Sequence, residues 1–255
     1  MKKQLLALLF AIVPVTAMAA GGASVLHSME PDLQDQASLQ NGMKLYVNYC
    51  MGCHSLEYQR FARAADDLGI PQDLVEENLI FSSDLAFNDQ MHIAMDRGDA
   101  ESWFGAPPPD LTLEARLRGT DWIYSYLLGF YKDPSRPTGV NNTVFDLVAM
   151  PNVLEPLQGV QELVCAETDQ PVAGQSPDPL SGKYQSCDVL QVTQPGAMEP
   201  AEFEEAVYDL TNFLAYVGEP SKLQAQALAP KVLIFIFIFG VIAYLLKREY
   251  WRDVH

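Results

Sequence analysis

Three residues in the stretch Cys50-Met51-Gly52-Cys53-His54 carry side chains at a spacing that can do chemistry. Two cysteines separated by two residues and followed at once by histidine form a c-type haem attachment pattern. The thiols at this spacing suit thioether bonds to the two vinyl groups of one haem. The adjacent imidazole then reaches the iron as a nitrogen ligand. Two other uses of a Cys-x-x-Cys pair fit less well. A structural zinc site needs a second close pair, and the remaining cysteines, Cys165 and Cys187, are far apart in sequence. A thioredoxin-type redox pair needs a βαβ setting that the flanking sequence lacks.

A low-spin electron-transfer haem needs a second strong axial ligand, and a thioether raises the potential by favouring the ferrous state. The candidates after the leader are Met29, Met43, Met51, Met91, Met95, Met150 and Met198, with His27 and His92. Met43 and Met51 lie too near the attachment site to reach the distal face. Met150 follows a small residue and precedes Pro151, which would stiffen its loop. It leads on chemistry, with Met91, Met95 and His92 still open.

The elements that must hold these groups are mostly helical. Leu39, Met43, Tyr46 and Cys50 share one helix face, with Ser38 placed to cap the start and deliver Cys50 at the far end. Tyr46, one turn before Cys50, is placed to approach the haem edge or to pack in the core. Pro107-Pro108-Pro109 forms an extended, stiff wall. Arg118 beyond it suits a propionate, because a guanidinium pairs two oxygens at once. A helix rich in aromatics spans Thr120 to Tyr131, capped by Thr120 or Asp121, and 133–142 reads as a loop. Phe203, Val207, Leu210, Leu214 and Val217 mark a helix from Pro200 to Val217, ended by Gly218, that packs across the first one. Between them, 154–198 has little periodicity and reads as a long inserted loop. Its pin is a Cys165–Cys187 disulfide, as two spare cysteines should pair in an oxidising compartment.

The two ends address the chain to a membrane. Lys2 and Lys3, the apolar run Leu5 to Val15 and Ala17-Met18-Ala19 make residues 1–19 a cleaved signal peptide. Val232 to Leu246 is free of charge and apolar on every face, and with 225–231 it reaches about 20 residues, enough to cross a bilayer core. Lys247, Arg248 and Arg252 place the C-terminus in the cytoplasm. The expected layout is a periplasmic haem c domain at 20–224, a transmembrane anchor at 225–246 and a cytoplasmic tail at 247–255, in a bacterial inner membrane. Between 20 and 230 there are 31 acidic and 10 basic residues, a net of −21. That balance excludes nucleic acid as a partner and favours a cationic one.

These residues and their order resemble the cytochrome c1 family of the bacterial cytochrome bc1 complex (ubiquinol–cytochrome c reductase). The matching runs are Cys50-x-x-Cys53-His54 with Ser55-Leu56-x-Tyr58, then Pro108-Pro109-Asp110-Leu111-Thr112, Gly129-Phe130-Tyr131, Ala149-Met150-Pro151 and Phe213-Leu214-x-Tyr216, with the C-terminal anchor. The first is shared by all c-type cytochromes, whereas the ordered set is specific. The resemblance implies a mainly α fold, a class I cytochrome c-like haem domain with loop insertions and one C-terminal transmembrane helix. It implies one covalent haem c on Cys50 and Cys53, with His54 and Met150 as axial ligands and haem contacts from Tyr46, Pro109 and Arg118. The Cys165–Cys187 pair resembles a disulfide of some bacterial members. Expected partners are cytochrome b and the Rieske iron–sulfur subunit in a dimeric complex, with a cytochrome c as electron acceptor. The chain would carry electrons and leave quinol oxidation to the complex. Two positions depart from the family pattern. Trp103-Phe104-Gly105 stands where many members have Asn-Gly, and Trp122 stands where a tyrosine often begins the aromatic helix.

Overall fold

The computed structural model describes residues 26–169 and 176–252. The expected signal peptide at 1–19 lies outside them. The described chain is mainly α, with three two-stranded antiparallel ribbons set between the helices.

The first helix, α1 (Gln36–Leu45), is capped by Asp35, whose carboxylate accepts from the Ser38 amide. The cap is therefore one turn ahead of the expected Ser38, which is itself buried. The helix does not run regularly into the motif. It widens into a π-helical turn at Tyr46–Cys50. Such turns are inserted where a helix must re-aim a side chain, often at functional sites. After it come β1 (Leu56–Arg60), α2 (Phe61–Leu68) and α3 (Gln72–Asn78), with Pro71 capping α3. Two-residue β2 (Gln90–Met91) pairs with β1, and α4 (Arg97–Phe104) ends at Gly105 in the left-handed region.

The short α5 (Glu114–Arg118) and α6 (Thr120–Leu128) are separated by Gly119, whose φ of +88° breaks the helix. Thr120 and Asp121, expected as caps of α6, instead hold the extended segment around Met29. Thr120 Oγ1 donates to the Met29 carbonyl at 2.9 Å, and Asp121 accepts from the Met29 amide at 2.7 Å. The helix stops at Leu128, short of the expected Tyr131. Phe130 and Tyr131 instead enter β3 (Phe130–Lys132), which pairs with β4 (Val140–Asn142). β4 lies inside the stretch expected to be all loop.

The segment 154–198 corrects the reading as an inserted loop. A one-turn α7 (Glu155–Gln158) leads into a hairpin of β5 (Gly159–Thr168) and β6 (Tyr184–Pro195). β-branched Val160, Val164, Val189, Val192 and Thr193 favour this pairing, but two register shifts break the alternation that would have shown it. Cys165 and Cys187 are joined across the hairpin. Gln161 ties its base to the body by donating to the Leu128 and Phe130 carbonyls at 3.0 and 2.8 Å.

The central element is α8 (Pro200–Gly218), which contacts α1, α5, α6 and α7. Glu199 and Glu202 form a capping box at its start. Its predicted apolar stripe is buried, and so are polar Asp209, Thr211 and Asn212. Asp209 accepts from Asn41 at 2.8 Å, and Asn212 donates to Ser38 Oγ at 3.0 Å, so polar bonds fix the crossing with α1. Gly42 lets the two backbones meet: a Cβ there would strike the Asp209 carbonyl and lie 2.6 Å from the Phe213 Cβ. Finally α9 (Ser221–Tyr250) runs for 30 residues with no buried residue. It is long and apolar enough to cross a membrane, and Pro230 lies inside it.

Candidate functional site

Cys50, Cys53 and His54 leave the π-helical turn as a tight loop. The amides of Cys53 and His54 both donate to the Cys50 carbonyl, at 3.0 and 2.9 Å. Tyr46 locks this loop from below. Its hydroxyl donates to the His54 carbonyl at 2.6 Å, and its ring, fully buried, lies 5.9 Å from Phe213. Burial, with Cys50 and Asp110 nearby, pushes that hydroxyl well above the usual tyrosine range, so it stays a donor. Tyr46 does not line the cavity described below. The structure places it in the core as a brace of the motif, the second of the two places the sequence left open.

His54 is buried, and its Nδ1 lies 2.7 Å from the Pro109 carbonyl. A carbonyl only accepts, so Nδ1 carries the hydrogen and Nε2 carries the free lone pair. This is the arrangement by which a backbone carbonyl orients a metal-ligating imidazole. Burial pulls the ring's pKa down, against the opposing pull of the Pro109 carbonyl and of Asp110 and Glu114. The imidazole is thus held neutral, as a ligand must be. In the free-thiol state burial, and then Cys53, push the Cys50 thiol up to about 12.

These groups open onto a cavity of about 380 Å³, within the range of about 300–1,000 Å³ typical of cofactor pockets. Its lining gathers the Cys50, Cys53 and His54 motif with Pro109, Arg118 and Met150 from distant parts of the sequence. Apolar walls come from Pro107, Pro108, Leu127, Val148, Leu210 and Leu214. Phe104 and Trp122, where the chain departs from the expected pattern, also line it. The rivals of Met150 lie elsewhere. Met91 is buried in β2, and His92 and Met95 line a separate groove beside Met51. Among the described methionines, Met150 alone lines the cavity that holds His54.

Met150 is delivered by a loop under polar control. Asn142, buried, donates to the Tyr126 carbonyl at 2.7 Å and accepts from the Val144 and Phe145 amides at 2.8 and 3.2 Å. Arg136 reaches the Leu147 carbonyl at 2.9 Å and the Val148 carbonyl at 3.5 Å. Leu147 has a φ of +59°, a strained value for a leucine, and these bonds hold it there. Asn142 and Arg136 were not singled out from the sequence, which read them only as loop residues.

Arg118 pairs with Glu114 at 2.7 Å and lies 4.3 Å over the Trp122 ring. It is a guanidinium at the edge of an apolar pocket, placed to meet an anionic group of a bound cofactor. Tyr126 projects its hydroxyl to the Met150 sulfur at 3.4 Å. Burial, opposed by Arg118, pushes that hydroxyl up to about 12. Tyr126 was not foreseen as a site residue. The clue available was the interval of four that links it to Trp122 and Arg118. Together the donor set fits a flat, mainly apolar, anion-bearing macrocycle. Two thiols are available for attachment, a neutral imidazole nitrogen and a thioether sulfur for its metal, and a guanidinium for its acid groups.

Comparison with known proteins follows the same line. The pattern described as the Cytochrome C1 family matches residues 28–163. A protein named cytochrome c1 from Allochromatium vinosum is 44% identical over 255 residues, covering 100% of both chains. A protein named ammonia monooxygenase gamma subunit from Nitrosomonas europaea is 41% identical over 251 residues, covering 98% of this chain and 97% of its own. A cytochrome c1 from Rhodobacter capsulatus is 23% identical over 281 residues, covering 94% and 95%.

Proposed function

The chain belongs to the cytochrome c1 family, the electron-transfer haem subunits of the bc1 complex, and we propose that within it this chain takes electrons from the Rieske iron–sulfur protein and passes them to a cytochrome c. The observation that carries the reading is the convergence of Cys50, Cys53, His54 and Met150 on one cavity.

In this reading Cys50 and Cys53 would hold one haem c through thioethers, and His54 Nε2 and Met150 Sδ would hold its iron. Bound there, the haem supplies one-electron transfer with no substrate bond made or broken. The residues of the chain do the rest. Pro109 fixes the His54 ring through its carbonyl, which keeps the imidazole in one tautomer. The apolar walls exclude water and so keep the reorganisation around a changing charge small. Arg118, paired with Glu114 at the edge of the cavity, would offer its guanidinium to the propionates. With His54 and Met150 both available to hold the iron, the group would carry electrons and leave no position for oxygen or peroxide.

The layout follows from the ends of the chain. We place 20–224 in the periplasm after removal of 1–19, 225–246 across the inner membrane within α9, and 247–255 in the cytoplasm. Cytochrome b and the Rieske protein are the neighbours in a dimeric complex. The acidic balance of the exported part supports a basic cytochrome c as acceptor.

The test is quinol-driven reduction of the covalent haem in detergent-solubilised membranes, with and without an inhibitor of the iron–sulfur step. Co-purification with b-type haem and inhibitor-sensitive reduction is the expected result. A covalent haem that purifies alone and is not reduced by quinol overturns the reading.

A further inference from the structure

Positions 114, 118, 122 and 126 follow at intervals of four through α5, Gly119 and α6, and each side chain touches the next. Glu114 accepts from Arg118 at 2.7 Å. The Arg118 guanidinium lies 4.3 Å over Trp122. Trp122 stacks on Tyr126 with ring centres 4.9 Å apart and planes 10° apart. Tyr126 ends the row on the Met150 sulfur at 3.4 Å. All five line the cavity.

We infer that Tyr126 is a positioning residue for the Met150 thioether, and that its hydroxyl raises the reduction potential of the site by donating to the sulfur. The inference rests on the reading of Met150 as an axial ligand. A thioether sulfur has two lone pairs, one for a metal and one free to accept a weak hydrogen bond. A donor on the second pair draws density from the sulfur and weakens its gift to iron. The ferric ion, with its higher charge, gains more from that gift than the ferrous ion does, so weakening it favours the reduced state.

The geometry leaves the hydroxyl little choice. Tyr126 is partly buried, packed against an apolar wall that offers its hydroxyl few polar partners, and an unpaired hydroxyl there is costly. Its ring is held between Trp122 and Phe130, the latter edge-on at 5.1 Å and 69°. Its carbonyl is held by Asn142, which also organises the loop that brings Met150. The donor and its acceptor are thus set by one scaffold.

The experiment uses the assembled complex with its covalent haem in detergent. It compares the wild type with Tyr126→Phe, Tyr124→Phe and Met150→Leu. The readouts are an equilibrium redox titration and the ferric charge-transfer band that reports a methionine sulfur on iron. Tyr126→Phe keeps the ring and its stacking. A neutral hydrogen bond shifts an equilibrium by about two- to tenfold, so this variant is expected to shift the one-electron equilibrium toward the ferric state by that factor. Tenfold corresponds to about 59 mV for one electron. Tyr124→Phe, which removes a neighbouring hydroxyl outside the cavity, is expected to change nothing. Tyr126→Leu, which also lacks the hydroxyl, is expected to shift in the same direction, and it serves where the phenylalanine variant assembles poorly. A wild-type potential in the Tyr126 variants, with the band intact, overturns the inference. If Met150→Leu retains the band, the axial reading itself has failed, and the two failures are told apart.

Discussion

Tyr46→Phe separates two roles for a residue next to the motif. If Tyr46 braces the main chain, as its hydrogen bond to the His54 carbonyl indicates, losing the hydroxyl costs stability and leaves the electronic properties of the site alone. The phenyl ring still fills the same buried space against Phe213, so no cavity is made. What is left behind is the His54 carbonyl, unpaired beneath a loop already closed by two amides on the Cys50 carbonyl. Leaving one buried partner unsatisfied costs about 1–3 kcal/mol. For a chain of this size each kcal/mol lowers the thermal midpoint by about 2–4 °C, so the expected loss is on the order of 2–12 °C. The assay is a scan of the assembled complex in detergent, followed by circular dichroism and haem absorbance at a matched scan rate, because such unfolding is kinetic as well as thermodynamic. A redox titration of the same sample is the second readout. An unchanged midpoint with a shifted potential would refute the reasoning and return Tyr46 to the cofactor's edge.

Two further outcomes are expected. Gly42→Ala drives a methyl against the Asp209 carbonyl and the Phe213 Cβ, forcing α1 and α8 apart. Overpacking of this kind costs about 1–3 kcal/mol, read as a lower midpoint and a lower yield of haem-loaded protein, and a wild-type midpoint would show that the crossing yields easily. Alkylation of the denatured, unreduced protein is expected to label neither Cys165 nor Cys187, which are joined across 22 residues. In the chain-entropy treatment a loop of this length contributes roughly 3 kcal/mol, so replacing both by serine should make the hairpin more open to protease, and an equally resistant hairpin would count against that.

Some of this architecture was legible in the residues because local rules and global fold agree there. The apolar repeat of α8 is buried and its Pro200 start is capped as the pattern requires, while Gly218 is the last helical residue and Glu219 follows it as the cap. The long C-terminal apolar run is one helix, longer at both ends than the expected anchor. The hairpin was not legible, because its alternation is broken twice by register shifts and its faces are half exposed. The π-helical turn before the motif was not legible either, since Tyr46 to Cys50 are middling helix formers and none of them marks a widened turn. At the site, the chemistry of Cys50, Cys53 and His54 is written in consecutive letters. The loop that carries Met150 depends instead on Asn142 and Arg136, whose partners are main-chain groups with no identity in the sequence.

That difference follows from how the cavity is divided. The wall from the first helix is a contiguous motif, so its geometry is set within ten residues by Tyr46, the Cys50 carbonyl and the loop amides. The wall that carries Met150 comes from a loop, and a loop alone would hold a thioether too loosely to define one potential. The chain supplies rigidity from outside it. Asn142 ties the loop's first amides to the end of α6, and Arg136 pins the strained Leu147 just before the methionine. α6 in turn is packed on α8, which is packed on α1, the helix that leads to the motif. The two candidate ligands are thus connected through helix contacts on one side and a hydrogen-bonded loop on the other. Mutations that loosen the loop without touching the helices should alter the sulfur's hold while leaving the imidazole's surroundings unchanged.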